Sequence, residues 1–213
     1  MLNRRADGFS LIELMVIVAV MSILALAAIP SFSTWMANSR VRTATESFQN
    51  GLRLAQAEAV RRSRQTVFVL TAATPALSAT PVANGKNWYA QALPLSGSGS
   101  SAASTDFIRG ETFATQYAVN LTGDAILCFN SAGRLVSNPA TGIASTACSA
   151  PDTSVSYSIS ATGADRPLTI QVSLGGKIRM CDPAKTLSDS NPDGCTAASS
   201  SSSSSLSSSA SSS

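Results

Sequence analysis

Polar residues almost vanish from the first part of the chain. Between Phe9 and Ile29 the only formal charge is Glu13, and the run stops at Pro30. These twenty-one residues, at helical rise, make roughly 32 Å, enough to cross a hydrocarbon core of about 30 Å. The pattern predicts a membrane-anchored helix, with Arg4 and Arg5 on the cytoplasmic side and everything after Pro30 exported. Beyond Pro30 the apolar positions become periodic. Phe32, Trp35 and Met36 continue one face, and Val41, Ala44, Phe48, Leu52, Ala55 and Ala59 recur at steps of three and four. Arg40, Arg42, Glu46, Arg53, Glu58, Arg61 and Arg62 fall mostly off that stripe, so an amphipathic helix is expected to about Arg64, half of it packed on a head domain.

After the helix the period shortens. Thr66 to Leu70, Trp88 to Leu93, Gln116 to Leu121, Ala125 to Phe129, Val155 to Ser160, Leu168 to Leu174 and Lys177 to Cys181 are rich in β-branched or aromatic residues and are bounded by Gly, Pro, Asn or Ser. They predict a head that is mainly antiparallel β. Asn130-Ser131-Ala132-Gly133-Arg134 reads as a hairpin turn between two strands, and Ser96 to Ser104 as a mobile Gly/Ser/Ala loop. From Ser199 to Ser213 the chain is almost entirely serine, cannot bury a core and is expected to be disordered, as a flexible appendage.

Composition narrows the chemistry. Across 213 residues there is no histidine, which removes the commonest general base and metal ligand. The serines have no histidine partner and no carboxylate pair sits in a recognisable motif, so no catalytic residue and no cofactor is assigned. A net charge of +3, or +2 without Arg4, Arg5 and Asp7, is too small to imply a polyanionic partner by itself. All four cysteines, Cys128, Cys148, Cys181 and Cys195, lie in the exported part, where disulfides form, and without a C-x-x-C spacing no metal site is expected. Three pairings are possible. Cys128 with Cys148 and Cys181 with Cys195 is the expected one, because each closes a short, polar loop worth about 3 kcal/mol on the chain-entropy estimate.

Glu13 is the anomaly in the apolar run, since a charge at the middle of a membrane helix costs on the order of 2.5 to 3.5 kcal/mol. One competing reading of the segment is a cleavable secretory signal, with Arg4 and Arg5 as its n-region, Leu11 to Leu24 as its h-region and Ala25-Leu26-Ala27 as its cleavage site. Arg4-Arg5 lacks the rest of a twin-arginine motif. Gly8-Phe9-Ser10-Leu11-Ile12-Glu13, behind a short basic leader and ahead of a long apolar helix, resembles the N-terminal signature of type IV pilins and pseudopilins. The resemblance implies cleavage by prepilin peptidase between Gly8 and Phe9, N-methylation of Phe9, and a helix retained in the mature protein. It also implies that Glu13 pairs with the terminal amine of a neighbouring subunit, the partner its burial requires. Pro30 falls where the family's helix bends or melts.

Two further stretches resemble one branch of that family, the GspH/FimT proteins. Leu52 to Arg62 is similar to the end of its amphipathic helix, with Gln56 and Ala57 where Arg and Ser are common, and Asn130 to Arg134 resembles its F-x-x-x-G-R turn. Arg61, Arg62 and Arg64 next to it are read as a solvated helix end rather than a basic patch. The segment Gly176-Lys177-Ile178-Arg179-Met180-Cys181-Asp182-Pro183 resembles the G-R-x-R-M-C-D-P of FimT-like minor pilins, which are associated with DNA capture, with lysine for the first arginine. The resemblance implies local phosphate contacts to double-stranded DNA by Lys177 and Arg179, which an extended strand would put on one face, and Lys185 in the expected Cys181–Cys195 loop is a candidate to join them. From Asp106 onward, however, eight acidic residues outnumber six basic ones, so any affinity should be weak and salt-sensitive. The expected architecture is α+β, a long pilin helix packed on an antiparallel β head. Its parts are a leader (1–8), a membrane or filament-core helix (9–30), an amphipathic helix (31–64), a head (65–197) and a tail (198–213). Other pilin subunits, prepilin peptidase and the inner membrane are the implied partners. The type II secretion pseudopilin H shares the anchor and head plan and is the alternative.

Overall fold

The computed structural model describes residues 10–94, 106–151 and 153–196, without the side chains of 26–30. Gly8, Phe9, the Ser96 to Ser104 loop and the serine tail therefore lie outside the described residues. The first element is α1 (Leu11–Arg61), a single helix of 51 residues that is continuous across Pro30, where the resemblance implied a bend or melting. At 1.5 Å per residue it is roughly 76 Å long. Among the described residues no helix is long and apolar enough to cross a membrane. The predicted run from Phe9 to Ile29 reaches beyond them at both ends.

The apolar stripe read from the periodicity packs as expected over the second half of α1. Val41, Ala44, Phe48, Leu52, Ala55 and Ala59 are fully buried, because one 3.6-residue stripe faces the head. The stripe does not extend to Phe32, Trp35 and Met36, which stay exposed since cover by the head begins at Ala37. The helix also ends three residues earlier than expected. Ser63 takes a left-handed conformation (φ 50°), and the amides of Ser63 and Arg64 donate back to Val60 and Ala59 oxygens at 3.1 Å. That closes the helix with the hydrogen-bond pattern glycine usually supports.

Two sheets flank α1. In the first, β1 (Thr66–Thr71) lies between β2 (Asn87–Ala92) and β5 (Ile126–Phe129), with β3 (Asp106–Glu111) on the outer edge of β2, all antiparallel. In the second, β6 (Ser154–Ser160) and β7 (Leu168–Ser173) are central, bounded by β4 (Asn120–Thr122), β8 (Ile178–Thr186) and the two-residue β9 (Gly194–Cys195). The predicted strand over Gln116 to Leu121 is corrected. Its first part belongs to a short helix, α2 (Phe113–Tyr117), which ends at Ala118 in a left-handed turn, and only β4 is extended. The pair β8–β9 is parallel rather than antiparallel.

Alternation along β1 explains why all six of its residues are buried. Phe68 and Leu70 face α1, whereas Val67 and Val69 face a second cluster with Tyr89, Cys128, Ile143 and Cys148. Where α1 meets both sheets, Phe48 is the common contact. Its ring centroid lies 5.2 Å from Phe68 of β1, 5.2 Å from Tyr157 of β6 and 5.4 Å from Phe113 of α2.

Candidate functional site

The residues singled out by sequence fall at three separate places. Glu13 lies in the first turn of α1, where its amide donates to Ser10 O at 3.1 Å. Around it Leu11, Ile12 and Leu14 are between 60% and 76% exposed, and every described large apolar side chain from Leu11 to Leu24 is exposed. A helix apolar on all sides is stable in lipid or among other helices, not in water. The N-terminal half of α1 is therefore a surface awaiting cover.

The C-terminal motif lies on β8, which runs antiparallel to β7 with Arg179 opposite Gln171 and Ile178 opposite Val172. Leu174, Gly175 and Gly176 turn the chain between them, and Lys177 leaves this turn exposed, its amide donating to Ser173 Oγ at 3.0 Å. Arg179 points to the face opposite Ile178, as alternation predicts. There its Nη2 donates to Pro192 O at 2.9 Å and Gly194 O at 2.8 Å. Gln171 grips the same segment by accepting from the amide and hydroxyl of Thr196 and donating to its carbonyl. Together with the Cys181–Cys195 disulfide, whose Cα atoms are 5.0 Å apart, these contacts tie the loop that closes the head onto the sheet. The other disulfide joins Cys128 to Cys148 at a Cα separation of 5.9 Å.

Lys185 is committed as well. Its ammonium is 2.6 Å from Asp193 and 3.7 Å from Asp182. The hydrogen bond to Asp193 pushes the lysine up and the aspartate down from their ordinary values. Lys177 precedes β8, whereas Lys185 lies near its far end, beyond the register shift between Asp182 and Thr186. The three cations thus do not form one cluster. Arg179 secures a loop, Lys185 answers two carboxylates, and Lys177 alone of the three projects into solvent without an ion pair or side-chain hydrogen bond among the described residues.

The arginines at the end of α1 are also held locally. Arg61 and Arg62 both bind the Glu58 carboxylate, at 2.6 to 2.9 Å. These hydrogen bonds hold Glu58 at about 2, well below the usual 4.5. Arg62 reaches on to Asp106 at 2.6 Å, and Arg64 donates twice to Leu93 O. The solvated helix end becomes a bracket between α1 and the first sheet.

One residue noted only as a departure from the family pattern turns out to organise the region. Gln56 Nε2 donates to both Gly133 O and Gly176 O at 2.7 Å. It thereby joins α1 to the Asn130–Arg134 turn and to the turn that presents Lys177. In the first of these, Asn130 and Arg134 pair through their backbones and Phe129 bridges Leu135, so the chain folds back as a turn with a one-residue second arm. The sequence signal was the pair of glycines, Gly133 and Gly176, both in left-handed conformations.

Comparisons with known proteins agree in kind. Residues 44–176 match the family described as Type II transport protein GspH, and residues 3–29 match the prokaryotic N-terminal methylation motif. No curated protein matches. Among solved structures, the chain is similar to the type IV minor pilin FimU of Pseudomonas aeruginosa. The identity is 20%, over 69% of this chain and 92% of that one, with a TM-score of 0.47. It is also similar to the minor pseudopilin EpsH from the type 2 secretion system of Vibrio cholerae. Here the identity is 12%, over 68% of this chain and 99% of that one, with a TM-score of 0.45.

Proposed function

The chain belongs to the GspH family of type IV pilin-like proteins, and from that premise we propose that it is a minor type IV pilin. In this reading residues 1–8 are a leader removed by prepilin peptidase between Gly8 and Phe9, and residues 9–30 anchor the chain in the inner membrane. The same helix enters the filament core on assembly. The amphipathic segment to about residue 64 carries the head (65–197), and the serine tail follows. The role is structural rather than catalytic, and the other partners are neighbouring pilin subunits.

One observation carries this reading: the head covers α1 only from Ala37 onward and leaves the described side chains from Leu11 to Ala25 exposed on every side, with Glu13 their one charge. Such a surface needs a bilayer first and a bundle of like helices afterwards. Glu13 then has a partner in the terminal amine of the next subunit. Glu13→Ala is expected to leave the protein in the membrane fraction but to remove it from sheared filaments. Normal recovery of the variant in those filaments would overturn the role given to Glu13.

Within this class the C-terminal motif favours a FimT-like subunit that touches DNA, and Lys177, the unpaired one of the three cations, is the residue assigned the contact. Because Arg179 and Lys185 are engaged elsewhere, binding rests on few phosphates and is weak and salt-dependent. Lys177→Ala in the full chain should weaken duplex retardation and reduce the salt slope by about one. Lys185→Ala should change it little, and equal effects of the two would argue against this assignment. The family description also supports a type II secretion pseudopilin. Loss of secretion rather than of transformation on deletion would select that reading.

A further inference from the structure

A groove of about 590 Å³ opens at the base of the head, beside the point where α1 leaves it. Trp35, Asn38 and Arg42 of α1 form one wall, and Arg166, Met180 and Lys185 are among the residues that close it. Above it the head packs tightly on α1. Immediately below it, Phe32 and Trp35 are 57% and 64% exposed, with their rings 5.7 Å apart.

We infer that this groove and its two aromatic residues seat the unassembled head on phospholipid headgroups of the bilayer that holds α1. The inference rests on the membrane-anchored reading given above. Phe32 and Trp35 lie three and six residues beyond Ile29, which is about 4.5 and 9 Å along a helix. The headgroup layer is roughly 5 to 7 Å deep on each side of the hydrocarbon. Helical side chains lean towards the N-terminus, here towards the bilayer, so both rings reach that layer. Aromatic residues favour this level, where one edge is apolar and the other wet.

The groove carries carboxylates as well as cations: Asp182 and Asp193 line it beside Lys185, and next to Arg166 the Asp165 Oδ1 accepts from Asn38 Nδ2 at 2.6 Å. Arg42 is paired with Glu46 at 3.0 Å, and Lys185 with Asp193. That leaves Arg166, exposed and without an ion pair or side-chain hydrogen bond among the described residues. Its backbone is fixed at the level of Asn38, whose Oδ1 accepts from the amides of Asp165 and Arg166 at 3.2 Å. A long basic side chain directed down from there, on a helix with an ordinary tilt of about 20°, comes within reach of the lipid phosphates.

The chain has two tryptophans, and Trp88 is 1% exposed, so lipid-borne quenchers report on Trp35. The full chain in phosphatidylethanolamine/phosphatidylglycerol bilayers should be quenched more by lipids brominated near the headgroup than by lipids brominated near the chain end. Trp35→Leu should abolish that difference. Arg166→Glu, a change of two charges, should lower the docked-to-lifted ratio by about thirtyfold, at about 1 kcal/mol for each charge at an anionic surface. Glycerol phosphate in solution should compete for nothing. If the chain resists carbonate extraction but Trp35 is unquenched and Arg166→Glu is silent, the docking proposal fails and the anchor stands. If carbonate extracts the chain, the anchored reading fails with it. Displacement by free glycerol phosphate would overturn the bilayer as the occupant.

Discussion

Phe48→Ala is expected to destabilise the head by roughly 3 to 5 kcal/mol, the usual cost of removing a large aromatic side chain from a packed core. Phe48 is fully buried and contacts a ring from each sheet and from α2. Its loss therefore opens a cavity that neither sheet can close without moving away from its partner across α1. Aromatic contacts of this kind add about 0.5 to 1.5 kcal/mol beyond area. Thermal unfolding of the full chain in detergent, followed by the fluorescence of buried Trp88, should show the midpoint fall by roughly 10 °C or more. Phe32→Ala, on the same helix but exposed, should shift it by no more than about 0.5 kcal/mol in stability. Equal shifts for the two variants would mean that Phe48 does not join the sheets.

The contrast between these phenylalanines marks how far periodicity reads a fold. From Val41 to Ala59 the stripe named its buried residues correctly, because a head on one side of a helix selects one side of its sequence. The same stripe continues through Phe32 and Trp35, which the head leaves exposed. There the apolar residues belong to a different environment, and hydrophobicity alone does not say which partner covers it. Strands β1, β2, β5, β6 and β7 were legible from β-branched and aromatic runs. Strand β3, with Asp106, Arg109, Gly110 and Glu111 among its six residues, was not, since an edge strand has little apolar pattern to show. The helix end at Ser63 was missed for a similar reason: a left-handed turn made by serine carries no glycine to announce it.

The candidate site was legible in its residue types and obscure in their employment. Lys177, Arg179 and Lys185 look equivalent in a sequence, as three cations within nine residues. Their partners come from elsewhere, in Pro192, Gly194 and Asp193, and only the folded loop brings these back to β8. A disulfide that ties Cys195 to Cys181 has a direct consequence for charge: the segment it returns delivers the groups that neutralise or engage two of the three cations. The contact proposed for Lys177 depends in turn on the turn that presents it.

That dependence makes Gly176→Ala the second large effect. Gly176 has φ +87°, and a Cβ there would fall on Gly133 O and against Gln56 Nε2. The left-handed strain costs about 1 to 3 kcal/mol and the overlap a similar amount, so a loss of roughly 2 to 6 kcal/mol is expected. Gly142→Ala separates the two causes, because Gly142 has φ +74° but nothing within 4 Å of its added carbon. It should lose only the strain. Gln56→Ala removes both hydrogen bonds without adding an atom. If the alanine at position 176 already displaces Gln56, the double variant should be less damaged than the sum of the singles, by about 0.5 kcal/mol or more. Additive losses would show that Gln56 does not join the two turns. Retardation of duplex DNA by Gly176→Ala at a temperature where it remains folded then tests presentation separately from charge. Lys177 is still present in that variant, yet its turn no longer rests on Gly133, and binding should fall towards that of Lys177→Ala.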